Sequence, residues 1–169
     1  NEAITGLSKV YLEDVVVKNE VYGGGNQAAL EGSTNVDIIN SSIKGNVFGG
    51  GNAASVVDSN VIVKAGMIGN IYGGSNMSGN VPISNIHTTS GSATTIYGGN
   101  NQGGVTTTSN IVVDGASIDT IYGGGKLATT ANTYIDLNAA TVVNVYGGGE
   151  AADITNNTNI NLMGSTVSN

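Results

Sequence analysis

The stretch Ile121-Tyr122-Gly123-Gly124 is one copy of a phrase, an aliphatic residue, an aromatic residue and two glycines, that occurs six times in the chain. The six copies are Val21-Tyr22-Gly23-Gly24, Val47-Phe48-Gly49-Gly50, Ile71-Tyr72-Gly73-Gly74, Ile96-Tyr97-Gly98-Gly99, Ile121-Tyr122-Gly123-Gly124 and Val145-Tyr146-Gly147-Gly148. Subtracting their first positions gives spacings of 26, 24, 25, 25 and 24 residues. So constant a period indicates an internal structural repeat.

The sequence between the copies repeats as well. About fifteen residues after each phrase begins, two aliphatic residues stand two positions apart. These pairs are Val36 and Ile38, Val61 and Val63, Ile111 and Val113, Ile135 and Leu137, and Ile160 and Leu162, with Ile86 and Thr88 as the departure. Another aliphatic residue precedes most phrases by three or four positions, and a further one usually follows nine or ten positions after. This spacing is typical of strands with one buried face and predicts three short strands per period.

Three short strands in about 25 residues match one turn, or rung, of a parallel β-solenoid. A propeller blade needs four strands and about 40 residues, so it fits less well. The rung length favours the right-handed form over the left-handed hexapeptide form, whose rungs have about 18 residues. We therefore predict an all-β chain, with a partial N-terminal rung in residues 1–20 that could cover one edge and six rungs in residues 21–169.

The glycines and asparagines of the repeat predict how the rungs are held together. The glycine pairs and triplets are expected to form corners with positive φ and to let rungs approach closely. No helix with a Lys and a Ser or Thr follows them, which excludes a phosphate loop. Asparagines recur at equivalent positions and are expected to stack as amide ladders. The two columns are Asn26, Asn52, Asn76 and Asn101, and Asn35, Asn60, Asn85, Asn110 and Asn159.

The aromatic position of the phrase is the candidate ligand or packing surface. Its residues are Tyr22, Phe48, Tyr72, Tyr97, Tyr122 and Tyr146. If the aliphatic residue before each ring points inward, the ring points outward and forms a stripe at rung spacing. One interpretation is that the rings stack and shield the backbone. The other is that they form a platform for glycan rings or a neighbouring rod.

Composition excludes several classes of function. The 169 residues include five basic and twelve acidic residues, for a net charge of −7, which argues against nucleic-acid binding. The absence of Cys excludes disulfides and thiolate chemistry. No apolar run approaches the roughly 18 residues of a membrane helix. The first residue is Asn1 and no signal-peptide pattern precedes the repeats, so a piece processed from a longer chain is expected.

The sequence predicts no catalytic, cofactor-binding or metal-binding residue. Asp114, Asp119 and Asp136 are expected in the same or adjacent rungs. A glycosidase, however, needs two carboxyl groups that face one cleft. His87 is the only histidine and is expected on the surface. Threonine runs raise ice binding as a further possibility, but they do not share one column; they are Thr88-Thr89, Thr94-Thr95, Thr106 to Thr108 and Thr129-Thr130. An enzyme is therefore not expected, and a carbohydrate-active enzyme and an ice-binding protein are the less favoured alternatives.

The recurring aliphatic-aromatic-Gly-Gly phrase, with rungs rich in Asn and Thr, resembles the repeat regions of bacterial surface adhesin-like β-solenoid proteins. The resemblance covers about residues 10–169 and implies a stiff stalk or adhesive surface that is extracellular or attached to the bacterial cell surface. The expected function is a non-enzymatic structural or adhesive module, a rigid rod or multivalent binding surface. Its expected partners are a host or surface glycan or protein. The alternative is a filament subunit that self-associates end to end through uncapped rung edges.

Overall fold

The strands of the repeat alternate inward aliphatic residues with outward polar ones, as the sequence predicts. The computed structural model describes residues 6–168, and these contain fifteen strands and no helix. The strands are β1 Leu7–Glu13, β2 Val16–Val17, β3 Val21–Tyr22, β4 Leu30–Ile39, β5 Ser41–Phe48, β6 Val56–Val63, β7 Gly66–Tyr72, β8 Val81–Thr88, β9 Ser92–Tyr97, β10 Thr106–Asp114, β11 Ser117–Tyr122, β12 Thr130–Asn138, β13 Thr141–Tyr146, β14 Thr158–Met163 and β15 Thr166–Val167.

The strands form two sheets in which every described pairing is parallel. The first sheet has the order β1-β4-β6-β8-β10-β12-β14. The second has the order β15-β13-β11-β9-β7-β5-β2, and β3 also pairs with β5. Each pairing joins equivalent repeat positions, as Val36 faces Val61 and Ile111 faces Ile135. The chain is therefore an all-β parallel β-solenoid with turns of about 25 residues, which confirms the predicted fold class.

The structure differs from the prediction in the number of strands per turn. Leu30, Val56 and Val81 were expected to begin separate strands, but they open β4, β6 and β8, which also contain the aliphatic pairs. Each full turn thus contributes one long strand to the first sheet and one to the second. Buried Ser or Thr side chains lie between the two predicted segments, and the chain runs straight through these positions. Ser59 and Ser84 donate hydrogen bonds inside the solenoid there, whereas the Ser109 hydroxyl group has no partner among the described residues. The handedness of the solenoid stays a prediction.

The core lies between the two sheets and consists of columns of aliphatic side chains. One column of the first sheet is almost fully buried and contains Val36, Val61, Ile86, Ile111 and Ile135. The second sheet contributes the column Ile43, Ile68, Ala93, Ile118 and Val142. Because each side chain packs on the same kind of side chain above and below it, the core is continuous from turn to turn.

A column of hydroxyl groups joins the first sheet to the glycine corners. Thr133 Oγ1 donates a hydrogen bond to the carbonyl oxygen of Gly147 at 2.7 Å. Equivalent bonds run from Ser8 to Gly23, Thr34 to Gly49, Ser59 to Gly73 and Ser84 to Gly98. These bonds satisfy glycine carbonyl groups that point into the molecule, where an unpaired acceptor is costly.

The predicted positive φ of the glycine corners is wrong, whereas the predicted close approach is confirmed. Positive φ occurs at other glycines and never in the aromatic-Gly-Gly corners of the described chain. A Cβ atom added to Gly123 would lie 2.4 Å from the carbonyl oxygen of Gly147. These glycines are therefore required because one turn passes directly over the next. Positive φ occurs instead in short turns between the two sheets, at residues such as Asn40 and Ala139.

The described N-terminal residues belong to the same solenoid. Strand β1 pairs with β4, and β2 and β3 pair with β5, so residues 7–22 form the first turn. Residues 1–5 and 169 lie outside the described residues, and the expected edge cover by residues 1–20 stays a prediction in that part. At the other edge, Ile160 and Leu162 are 42% and 51% exposed, although Ile135 and Leu137 of the preceding turn are buried.

Candidate functional site

The six aromatic residues of the repeated phrase form one continuous stack. Neighbouring ring centroids lie 4.6–5.2 Å apart, and neighbouring ring planes differ by 7–16°. The order is Tyr22, Phe48, Tyr72, Tyr97, Tyr122 and Tyr146. The parallel register places equivalent residues one strand apart, so the ring spacing follows from the strand spacing.

Most of the area of this stack is covered. Phe48, Tyr72 and Tyr97 are buried and form a cluster of their own outside the aliphatic core. Tyr146, at the C-terminal end, is 48% exposed. Each inner ring has another ring against both faces, so a sugar ring cannot lie flat on it without separating two turns. The geometry therefore supports packing for the inner rings.

The hydroxyl groups at the edge of the stack contact polar residues of their own turn and of turns two apart. Tyr22 donates a hydrogen bond to Glu20, and Asn76 Nδ2 donates to the Tyr22 hydroxyl oxygen at 3.1 Å. Tyr97 donates to Glu150, which lies two turns further along the chain. Burial of the phenol groups is the largest cause that raises the pKa of Tyr22 and of Tyr72 to about 12. The hydroxyl groups therefore remain protonated well above neutral pH.

The first predicted amide ladder follows the glycine corners beside the stack. The side-chain amide of Asn52 donates to Asn26 at 2.8 Å, Asn76 donates to Asn52 at 2.9 Å, and Asn101 donates to Asn76 at 2.7 Å. This prediction is confirmed. Each hydrogen bond satisfies one donor and one acceptor and holds two successive loops in register.

The second amide column, on the outer face of the first sheet, is confirmed in its middle and broken at both ends. Asn85 donates to Asn60 at 3.0 Å, and Asn110 donates to Asn85 at 2.9 Å. Asn60 donates to the backbone oxygen of Thr34 rather than to the Asn35 side chain. In the fifth turn the position is taken by Tyr134, which faces Asn110 in the register and separates it from Asn159.

Tyr134 is a surface residue that the sequence analysis did not single out. Tyr134 lies on the outer face of the first sheet and is 41% exposed. The available signal was the interruption of the asparagine column, because an aromatic side chain replaces an amide at this one position. Exposed aromatic residues next to polar groups are common in binding surfaces.

The acidic residues considered for catalysis do not gather on one face. Asp114 and Asp136 belong to β10 and β12 of the first sheet, whereas Asp119 belongs to β11 of the second. His87 Nε2 lies 2.6 Å from Asp114 Oδ2, and both side chains are partly exposed. In residues 6–168, no group of three or more His, Asp or Glu side chains is arranged to hold a metal ion.

The threonine runs do not form one outer column. Thr88, Thr106 and Thr130 are buried inside the solenoid. Thr95 belongs to the second sheet and Thr108 to the first, so their side chains lie on different sides of the rod. The flat, repeated hydroxyl array expected of an ice-binding surface is not produced by these runs.

The part of the chain that the structure describes has no helix long and apolar enough to cross a membrane. Comparisons with protein-family models, curated proteins and solved structures found no match. The resemblance to bacterial adhesin-like repeats therefore rests on the repeated residues themselves, and the solenoid fold is compatible with a structural repeat module.

Proposed function

We propose that this chain is a non-enzymatic structural module of a secreted or cell-surface bacterial protein, and that it acts as a rigid rod with adhesive surface columns. The observation that carries the proposal is the unbroken contact between successive turns. Both sheets run through every turn, and seven first-sheet strands at about 4.8 Å give a rod about 30 Å long. The resemblance of the repeated phrase to adhesin-like repeats is consistent with this role.

Rigidity follows from three kinds of ladder acting along the same axis. Backbone hydrogen bonds join the strands, and the aromatic rings stack from turn to turn. Hydrogen bonds between asparagine side chains join the loops. Bending the rod would lengthen contacts in all three at once. In solenoids each turn packs mainly on its neighbours. Here the hydrogen bonds of Asn76 with Tyr22 and of Tyr97 with Glu150 also join turns that are two apart.

The same regularity favours multivalent binding. Each outer position recurs once per turn, so a residue type repeated in the sequence becomes a column with regular spacing on the surface. Several weak contacts with a glycan or protein partner then add in avidity when they are made together. The net charge of −7 favours neutral or basic partners over acidic ones.

The proposal is tested by surface location and adhesion. Brief protease treatment of intact producing cells is expected to release fragments that contain the repeat, and beads coated with the purified chain are expected to adhere to glycan-bearing surfaces. Beads coated with heat-unfolded chain provide the control. Recovery of the protein only from the interior of lysed cells would contradict the proposal.

A second candidate function is end-to-end assembly of rods. The observation that favours it is the in-register parallel pairing of both sheets, in which each strand pairs with the same repeat position of the next turn. A strand of a second chain is able to continue pairing of this kind. Electron microscopy over a concentration series is expected to show uniform fibres, and Ile160→Lys is expected to abolish them. Single short rods at all concentrations would exclude this function.

A further inference from the structure

The outer face of the first sheet contains a groove that the repeat pattern does not explain. It has a volume of about 280 Å³ and spans strands β6, β8 and β10. Its lining combines the amide column with apolar and titratable side chains: Asn60, Asn85, Asn110, Ile62, Val112, His87 and Asp114. Pockets for drug-sized molecules measure about 300–1,000 Å³, so this groove is suited to a smaller group such as one sugar ring.

One wall of the groove is a row of partly used amides. Asn85 donates one side-chain N–H to Asn60, and its side-chain oxygen accepts one hydrogen bond from Asn110. A carboxamide has two N–H groups and two oxygen lone pairs, so one donor and one acceptor of Asn85 remain for a ligand. The carbonyl oxygen of Asn110 accepts no hydrogen bond from a described residue. The wall therefore offers donors and acceptors side by side, which suits hydroxyl or acetamido groups.

The neighbouring outward column contains His87, which lies in register between Ile62 and Val112. His87 Nε2 lies 2.6 Å from Asp114 Oδ2, and Asn138 Nδ2 donates to Asp114 Oδ1 at 2.7 Å. The hydrogen bonds from Asn138 and His87 lower the pKa of the Asp114 carboxyl group. This arrangement leaves His87 Nδ1 without a partner among the described residues, so this ring nitrogen is available for one further hydrogen bond.

An exposed aromatic ring adjoins the amide wall. Tyr134 follows Asn110 in the same outward column, one strand further along. It is 41% exposed, and none of the described residues hydrogen-bonds its hydroxyl group. Unlike the six stacked rings, it has no aromatic neighbour above or below among the described residues. A ring face of this kind accepts the apolar side of a sugar.

We propose that this groove, together with the adjoining Tyr134 ring outside its lining, binds a neutral carbohydrate, with one sugar ring on Tyr134 and polar groups on Asn85, Asn110 and His87. The inference rests on the proposed adhesive function and names its ligand class and location. An acidic ligand is disfavoured because Asp114 lies in the lining, Asp136 faces Val112 beside Tyr134, and no lysine accompanies them in the lining. The apolar side chains of Ile62 and Val112, on either side of His87, accommodate a methyl or methylene group of the sugar.

The test measures binding of fluorescently labelled neutral oligosaccharides of glucose and of N-acetylglucosamine to the purified chain. Tyr134→Ala and His87→Ala are expected to weaken binding at least about tenfold, because each removes a ligand contact without opening the core. Tyr11→Ala is the matched control, since Tyr11 is an exposed tyrosine on the same sheet outside the groove. Melting temperatures of all variants establish that they fold.

Binding that is lost in both groove variants and retained in Tyr11→Ala supports the proposal. The proposal is overturned if no neutral oligosaccharide binds, if binding survives both groove variants, or if acidic oligosaccharides or peptides bind in preference. Adhesion of coated beads without oligosaccharide binding would overturn the groove assignment alone. If the protein binds oligosaccharides but is found only inside cells, the surface role is contradicted and the assignment of the groove as a carbohydrate site is supported.

Discussion

The hydroxyl group of Thr133 donates a hydrogen bond to the carbonyl oxygen of Gly147 at 2.7 Å, and this contact recurs along the rod as Ser or Thr with Gly. It fixes the first sheet to the glycine corner from inside the solenoid. A second buried threonine, Thr88, occupies a position of the aliphatic column, between Val63 and Val113. Its hydroxyl group has no hydrogen-bond partner in residues 6–168.

Replacing Thr88 with Val is expected to stabilise the protein by about 1 kcal/mol. The substitution preserves shape and removes a buried hydroxyl group that pays its desolvation cost without a hydrogen bond. The matched control is Thr133→Val, which is expected to destabilise by about 1–2 kcal/mol because it leaves the Gly147 carbonyl unpaired. Urea unfolding of both variants measures the difference. Equal unfolding midpoints for the two variants would contradict the assignment of the hydroxyl column.

Replacing Ala139 with Gly is expected to stabilise the turn between β12 and β13. Ala139 has φ +50°, a left-handed conformation that costs a residue with a Cβ atom about 1–2 kcal/mol. Glycine relieves this strain but loses about 0.5–1 kcal/mol in chain entropy, so the net gain is about 0.5–1 kcal/mol. The neighbouring Ala140→Gly is the control and is expected to destabilise, because Ala140 is buried and has no positive φ. Differential scanning calorimetry on both variants decides the sign.

Replacing Gly123 with Ala is expected to destabilise the rod by more than about 2 kcal/mol. The new Cβ atom would lie 2.4 Å from the Gly147 oxygen and 2.9 Å from Thr133 Cβ, so two turns must separate. Gly148→Ala is the control, since its nearest atom would be Ile154 Cγ1 at 3.9 Å. We expect a lower melting temperature for Gly123→Ala and an unchanged one for Gly148→Ala. Similar losses in both would show that chain entropy, not close approach, selects glycine here.

Stability is expected to fall at alkaline pH through the aromatic stack. Tyrosine in an unfolded chain has a pKa of about 10, whereas burial raises the pKa of Tyr22 and Tyr72 to about 12. Well below pH 10 these two tyrosines are protonated in both the folded and the unfolded chain, so they add no pH dependence to the stability there. Between pH 10 and 12 the unfolded chain ionises first, which favours unfolding.

Urea midpoints measured across this pH range, together with the ultraviolet absorbance of tyrosinate, test the expectation. Tyr72→Phe is the informative variant, because Phe48 shows that a ring without a hydroxyl group fits the stack. It is expected to lose less stability between pH 10 and 12 than the unaltered chain. Titration of every tyrosine near pH 10 in the folded protein would contradict the burial of the phenol groups.

The repeat spacing predicted the parallel solenoid, the aliphatic columns and the first amide ladder, because each depends on which residues recur. It also identified the six rings, whose stacking follows from recurrence at the same position. The sequence did not predict whether those rings are open or covered. That property depends on how closely neighbouring rings lie on one another and on residues at the ring edges, such as Glu150, which contacts the Tyr97 hydroxyl group from two turns away.

Other features were missed because they depend on which way a side chain points and on how closely the turns approach, rather than on which residues recur. The hydroxyl column of Ser59 and Ser84 is periodic, but serine is common in turns and its inward direction is visible only once the sheet is formed. The positive φ expected at the glycine corners was wrong because close approach selects glycine as strongly as backbone angle does. The groove beside His87 combines the recurring asparagines with residues that do not recur, such as His87 and Asp114, and a search for periodicity does not find the latter.

Strand partners lie 24 to 26 positions apart at the first turn and at the last, as Val10 with Val36 and Ile135 with Ile160 show. Closing a loop of this size therefore costs about the same entropy at every step of assembly. Folding is able to proceed turn after turn without the slowing that long-range pairing imposes on larger sheets. Recombination that adds or deletes one whole repeat would keep every column in phase, so the length of the rod is a quantity that evolution is free to adjust without redesigning its interior.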